Sequence, residues 1–159
     1  MAERRRSTVT IVVLSLLLAL TLAAGYFDHR ARAREQFGRE ALAAATQGLV
    51  SLTSVDHQQV DADVQRILDS STGAFRDDFE RRAQSFADAA RTARSVSVGT
   101  VTEAGVQSLE GDSGRVLVAM TVMTSNAGVP ERTPRAWRTV VTVTDTDEGM
   151  KVSKVEFIP

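Results

Sequence analysis

Asp56, His57, Asp61 and Asp63 are the densest group of metal-ligating side chains in the sequence, and His57 with Asp61 has the i, i+4 spacing that joins two ligands on one helix face. Two ligands do not complete a site. Acids in the first turn of a helix also suit its dipole without any metal, and no D-x-D-x-D-G calcium loop is present. These residues therefore read as a helix entry, and neither a metal nor a cofactor is expected. A second group, Arg132, Arg135 and Arg138 around Trp137, combines the residue types that dominate binding hot spots, so it reads as a possible interaction rim for anionic lipid or a protein. Strand alternation would turn Trp137 inward and Arg138 to solvent.

Gly111-Asp112-Ser113-Gly114 spells the tetrapeptide around the nucleophile of trypsin-like serine proteases. Such a serine needs a histidine base held by an acid, and the sequence upstream offers only His29 and His57. Arg115 also follows where those enzymes continue with glycine. Asp, Ser and Gly are ordinary turn residues, so a hairpin turn is the expected role. Acid–base chemistry in an apolar pocket would need placed Tyr, Asp or His, yet the only tyrosine is Tyr26 and the acids fall in turns or on helix surfaces. No catalytic residue is assigned, and the protein is read as a non-enzyme.

The elements that must position these residues follow from periodicity. Asp28 to Leu52 has no proline and contains Glu40-Ala41-Leu42-Ala43-Ala44-Ala45, which predicts a helix, part stalk and part packed, over residues 28–53. Ser54 is a candidate cap for a second helix whose apolar stripe is Val60, Val64, Ile67 and Leu68. A third helix begins after Thr72 as N-cap, with Gly73 as a tight entry and Phe75, Phe79, Ala83, Phe86 and Ala90 on its buried face. From Ser95 the chain turns to valine- and threonine-rich runs, predicting four antiparallel strands near 95–109, 116–124, 136–144 and 151–158. Pro130 and Pro134 delimit a loop before the third. On the last strand Val155 and Phe157 share a parity that Val152 lacks, so either a bulge intervenes or both faces are partly covered.

The 159 residues suffice for one domain, and a net charge of −1 argues against nucleic acid as a partner. Absent cysteine excludes disulfides and thiol chemistry. The 43% of apolar residues is unevenly spread: Ser7 to Phe27 has 15 apolar residues in 21 and no charge. At about 1.5 Å per residue that segment makes a helix of about 30 Å, a bilayer's apolar thickness. Residues 1–6 then form a basic tail, 7–27 a single-pass signal anchor, and 54–159 a domain expected outside the cytoplasm, although Arg30, Arg32 and Arg34 nearly balance Arg4, Arg5 and Arg6. The fold class is α+β, with helices packed on a curved four-stranded antiparallel sheet.

Ser71-Thr72-Gly73-Ala74-Phe75-Arg76-Asp77-Asp78-Phe79 resembles the T-G-x-F-x-x-x-F helix start of the mammalian cell entry (Mce) associated membrane proteins of actinobacteria. Gly99 to Leu109, Val116 to Met123 and the ending from Gly149 through Val155, Phe157 and Pro159 are similar to that family's later segments, with Met150 where tryptophan is frequent. The resemblance implies a cone of the nuclear transport factor 2-like class and an accessory or scaffold subunit beside Mce proteins and a lipid-import permease in the cell envelope. It supplies no catalytic residues. Alternatives are a lipid-binding module, with Met120, Met123, Val141 and Val143 on the concave sheet, and a bitopic assembly factor of a secretion system.

Overall fold

The computed structural model describes the backbone of residues 2–158 and the side chains of 20, 28–129 and 133–158. The chain divides into two compact units, residues 1–37 and 38–159. The first is helical throughout, and at its surface Arg32 pairs with Asp28 at 2.7 Å, one helical turn away. Most of the expected anchor, 7–27, lies outside the residues whose side chains are described. Among the described residues no helix is long and apolar enough to cross a membrane.

Helix α1 spans Ala2–Thr53, and its residues from Gly38 onward belong to the second unit. Then come β1 (Val55–Asp56), α2 (Val60–Asp69), α3 (Gly73–Ala93), β2 (Val96–Glu110), β3 (Ser113–Asn126), β4 (Val129–Thr146) and β5 (Gly149–Ile158). The five strands form one antiparallel sheet in sequence order. The expected α+β class holds, with five strands in place of four. The extra one has only two residues and pairs Val55 with Ser97 and Asp56 with Val96, so it carries no alternation that a sequence could display.

β3 lies near the middle of the sheet and shows why its residues are where they are. Gly114, Val116, Val118, Met120 and Val122 are buried, while Arg115, Leu117 and Met123 on the opposite parity are exposed. Ala41, Ala45 and Leu49 of α1 fill the space over the buried parity and meet Val116, Val118, Met120, Val141, Val143 and Val152 in the main core. The approach is close. A Cβ at Gly48 would stand 2.4 Å from Val152 Cγ2, and one at Gly114 would stand 2.8 Å from Ala41 Cβ. Residues 38–53 are thus a core helix, and only the earlier part of the expected stalk lies outside this unit.

A second, smaller core joins α2 to α3 through Val60, Val64, Leu68, Ala87 and Ala90, with Phe79, Ala83 and Phe86 packed against it. Phe79 and Phe86 meet edge to face, with ring centroids 5.6 Å apart. The cap of α2 is Gln59, not Ser54, which instead accepts the Gly99 N–H at 3.0 Å and fastens the chain after α1 to β2.

The third predicted strand is longer than expected. β4 already begins at Val129, so Pro130 and Pro134 lie within it and not in a loop. The hairpin turns instead at Ala127 and Gly128, where Asn126 Oδ1 accepts the N–H of Gly128 and of Val129, both at 2.9 Å. Prolines are tolerated because β5 pairs with β4 only from Arg138 onward, leaving the preceding stretch a free edge. On β5 a bulge does intervene: Thr142 pairs with Lys154 and Val143 with Val152, so Ser153 is the extra residue that resets the parity.

Candidate interaction surface

The sequence-identified acids do not converge. His57 falls in the turn before α2, off the helix, and its Nδ1 lies 3.4 Å from Asp56 Oδ1. Asp61 faces α3 and pairs with Arg91 at 2.5 Å, holding that guanidinium's pKa above its usual value. Asp63 is 1% exposed; it accepts the Asp56 N–H at 2.8 Å and an Arg66 Nη2–H at 2.6 Å. Each acid is committed to a different structural partner, and among the described residues no cluster suits a metal ion. Asp63 is a stabilising residue that composition concealed, because one more acid in a helix's first turn carries no distinguishing signal.

Ser113 opens β3 directly after the turn at Gly111 and Asp112. Its hydroxyl contacts Asp112 Oδ1 at 3.1 Å and Thr144 Oγ1 at 3.3 Å, with no imidazole beside it. The tetrapeptide acts as a hairpin turn, with Gly111 in the left-handed region at φ 59°.

Thr72 is the N-cap of α3 by backbone position, without a side-chain cap bond, and Gly73 enters the helix at φ 57°. The Thr72 N–H donates to Val152 O at 2.8 Å, and the Val152 N–H to Ser70 O at 2.9 Å, which ties this helix start to β5. Phe75 packs on the main core and Phe79 on the smaller one. The motif residues thus position α3 and present no reactive group.

The helix-covered face of the sheet is filled by core side chains among the described residues. Met120, Val141 and Val143 are core residues beneath α1, while Met123 lies on the opposite face. That overturns the grouping of these four side chains around one acyl chain.

What remains accessible is where β5 ends. Met120 pairs with Trp137, and Val118 with Thr139, which in turn pairs with Phe157. Cross-strand partners share a face, so Trp137 and Phe157 lie on the helix-covered face beyond the point where it is fully covered. Trp137 is half-buried and packs on the main core together with Val155, whereas Phe157 is 61% exposed. Their rings meet edge to face at 5.4 Å and 87°. With Ala136, Arg138 and Ile158 they line an open, mainly apolar cleft of about 500 Å³. Arg138 points to the other face, as alternation requires, and borders a second apolar groove with Leu117, Ala119 and Ile158. Arg135 and Arg138 are exposed and have no hydrogen bond or ion pair among the described residues. The side chain of Arg132 lies outside the described residues.

Residues 6–159 match the family described as "Uncharacterized protein Rv1363c/MT1408-like". "Uncharacterized protein Rv1363c" of Mycobacterium tuberculosis is 39% identical over 159 residues, covering 98% of this chain; the chain spans 61% of that relative's length. Among solved structures, the periplasmic domain of DotI superposes with a TM-score of 0.61 at 18% identity, covering 74% of this chain and 92% of that one. An IcmL-like type IV secretion system protein from Legionella pneumophila gives 0.61 at 12% identity, covering 74% and 89%. CagV, a VirB8 homologue of the type IV secretion system of Helicobacter pylori, gives 0.54 at 9% identity, covering 73% and 94%. At these identities the likeness concerns the fold, a helix-covered curved sheet of the nuclear transport factor 2-like kind.

Proposed function

The chain belongs to the Rv1363c/MT1408-like family, and from that premise we propose that it is a non-catalytic assembly module of a multi-protein complex in the cell envelope. The observation that carries the reading is the contrast between a filled concave face and an exposed aromatic cleft at the end of β5. A ligand carrier or enzyme of this architecture uses the space between helix and sheet; here α1 occupies it. The solved proteins of like fold include components of type IV secretion systems, which supports the secretion-assembly alternative over the lipid-import one. Nothing in the family match supports an Mce partner, so that finer expectation is not carried forward.

Residues 7–27 would tether the domain as a single span, with a cytoplasmic N-terminus and the sheet outside. Fold alone does not fix function, so the test is direct. Crosslinking the full chain in its native membranes, followed by mass spectrometry, is expected to recover subunits of one envelope machine. Recovery of the free chain alone would contradict the reading, and a reporter fused after Pro159 that is active only in the cytosol would contradict the topology.

A further inference from the structure

We propose that the cleft formed by Ala136, Trp137, Arg138, Phe157 and Ile158 receives an extended segment of a partner protein in which an apolar side chain is flanked by carboxylates. The inference rests on the assembly reading above and assigns the chemistry of its contact.

The floor sets the first requirement. Trp137 and Phe157 hold each other edge to face, so they form a fixed apolar surface that an inserted aliphatic or aromatic group can cover without ordering it anew. The rim sets the second. Arg135 lies on the parity of Trp137 and Arg138 on the opposite one, placing a guanidinium on each side of the sheet edge, neither paired among the described residues. Three residues of strand separate them by about 10 Å. A segment in extended conformation spans that distance with carboxylates about three residues apart and an apolar side chain between them. No acidic residue lines the cleft beside Trp137 and Phe157, while Glu103 borders the groove on the face to which Arg138 points.

The edge sets the third. β4 is unpaired on its outer side before Arg138, which invites strand addition. Pro134 pairs with Met123 within the ladder, where a proline must turn its nitrogen to the unpaired side. It therefore removes a donor from that edge and blunts indiscriminate pairing, while Ala136, of the same parity, keeps its N–H beside the cleft. Side chains at Trp137, Phe157 and the two arginines are left to choose the partner. A lipid surface fits less well, since Trp137 is held half-buried on the core and does not project as an interfacial anchor would.

Trp137 is the only tryptophan in the chain, so its emission reports on this cleft alone. The full chain in neutral detergent micelles would be titrated with three probes: a tryptophan-free peptide with aspartates three residues apart and leucines between them, the same peptide with lysine for aspartate, and phosphatidylglycerol vesicles. The expected result is a saturable emission shift with the acidic peptide, weakened by about tenfold or more with the lysine peptide and in the Arg135→Glu/Arg138→Glu double variant. The same loss is expected in Phe157→Ser, an exposed position whose change leaves the fold intact by circular dichroism. Equal responses to both peptides, no saturable shift up to about 1 mM, or a shift with vesicles alone would overturn the proposal. A silent cleft in a protein that still crosslinks to envelope subunits through another surface would remove this site and leave the assembly reading standing. A binding cleft in a protein with no envelope partner would do the reverse.

Discussion

The same face of the sheet ends in two opposite ways. Under α1 it meets Ala41, Ala45, Gly48 and Leu49, packed so closely that a Cβ at Gly48 would collide with the Val152 side chain. Beyond the cover it carries Trp137 and Phe157, the largest apolar side chains on the sheet, with Phe157 mostly in solvent. The helix fills its part of this face with closely packed side chains, and the face beyond it keeps a mostly exposed aromatic ring.

The sharpest way to break this contrast is to act on the covered region. Met120→Ala removes a side chain that is 1% exposed and should destabilise the domain by about 2–5 kcal/mol, read as a lowered midpoint in chemical denaturation. Gly48→Val places a Cβ against Val152 and should cost about 1–3 kcal/mol through overpacking; a compensating Val152→Ala in the same chain should recover part of it. Both changes alter stability first and binding only through it.

At the uncovered end the order reverses. Phe157→Ser should shift stability by about 1 kcal/mol or less, since the ring is mostly hydrated already, yet it should weaken the cleft's affinity by about tenfold or more. If Phe157→Ser proved as destabilising as Met120→Ala, the two ends would be one core and the contrast would fail.

Asp63→Asn offers an intermediate case. It weakens a buried acceptor of the Asp56 N–H and of Arg66, and should lose about 1–2 kcal/mol without touching either end of the sheet.

The smallest effect concerns pH. The hydrogen bond and charge of Lys151 hold the Glu148 carboxyl below the usual glutamate value. A depressed folded value means that the contribution is present above the unfolded pKa and lost as pH falls through the folded one. Glu148→Gln should therefore show a slightly flatter loss of stability below about pH 4.5 than the parent, measured as thermal midpoints across the acid range. The Glu148 side chain is exposed and the difference should be modest.

Local features of the sequence were read more readily than the partners those features find. The parity change between Val152 and Val155 left a bulge or two partly covered faces, of which the strand has the bulge, and the Phe75, Phe79, Ala83, Phe86 spacing announced the packed face of α3, because both are written in nearby residues. β1 exists only through pairing with Ser97 and Val96, which nothing in Val55-Asp56 foretells. The run around Ala41 to Ala45 suggested a partly free stalk because alanine favours helix whether exposed or packed. Its destination was encoded in the spacing of Gly38, Ala41, Ala45 and Gly48, one small-residue face at helical intervals, a signal that alanine content alone obscures. Pro130 and Pro134 suggested a loop, since an unpaired edge cannot be known before the length of β5 is. At the cleft, the arginines around Trp137 suggested a possible interaction rim, while Phe157 was distinguished only by its parity with Val155; its exposure depends on where α1 stops covering the sheet.

Site-specific photocrosslinking in native membranes tests the central claim most directly, with a photoreactive phenylalanine analogue at position 157 compared with one at 107 on the exposed β2 edge. The account predicts a discrete protein adduct from position 157 that is lost when Arg135 and Arg138 are changed to glutamate, and none from position 107. An adduct from position 107 with none from 157 would contradict it.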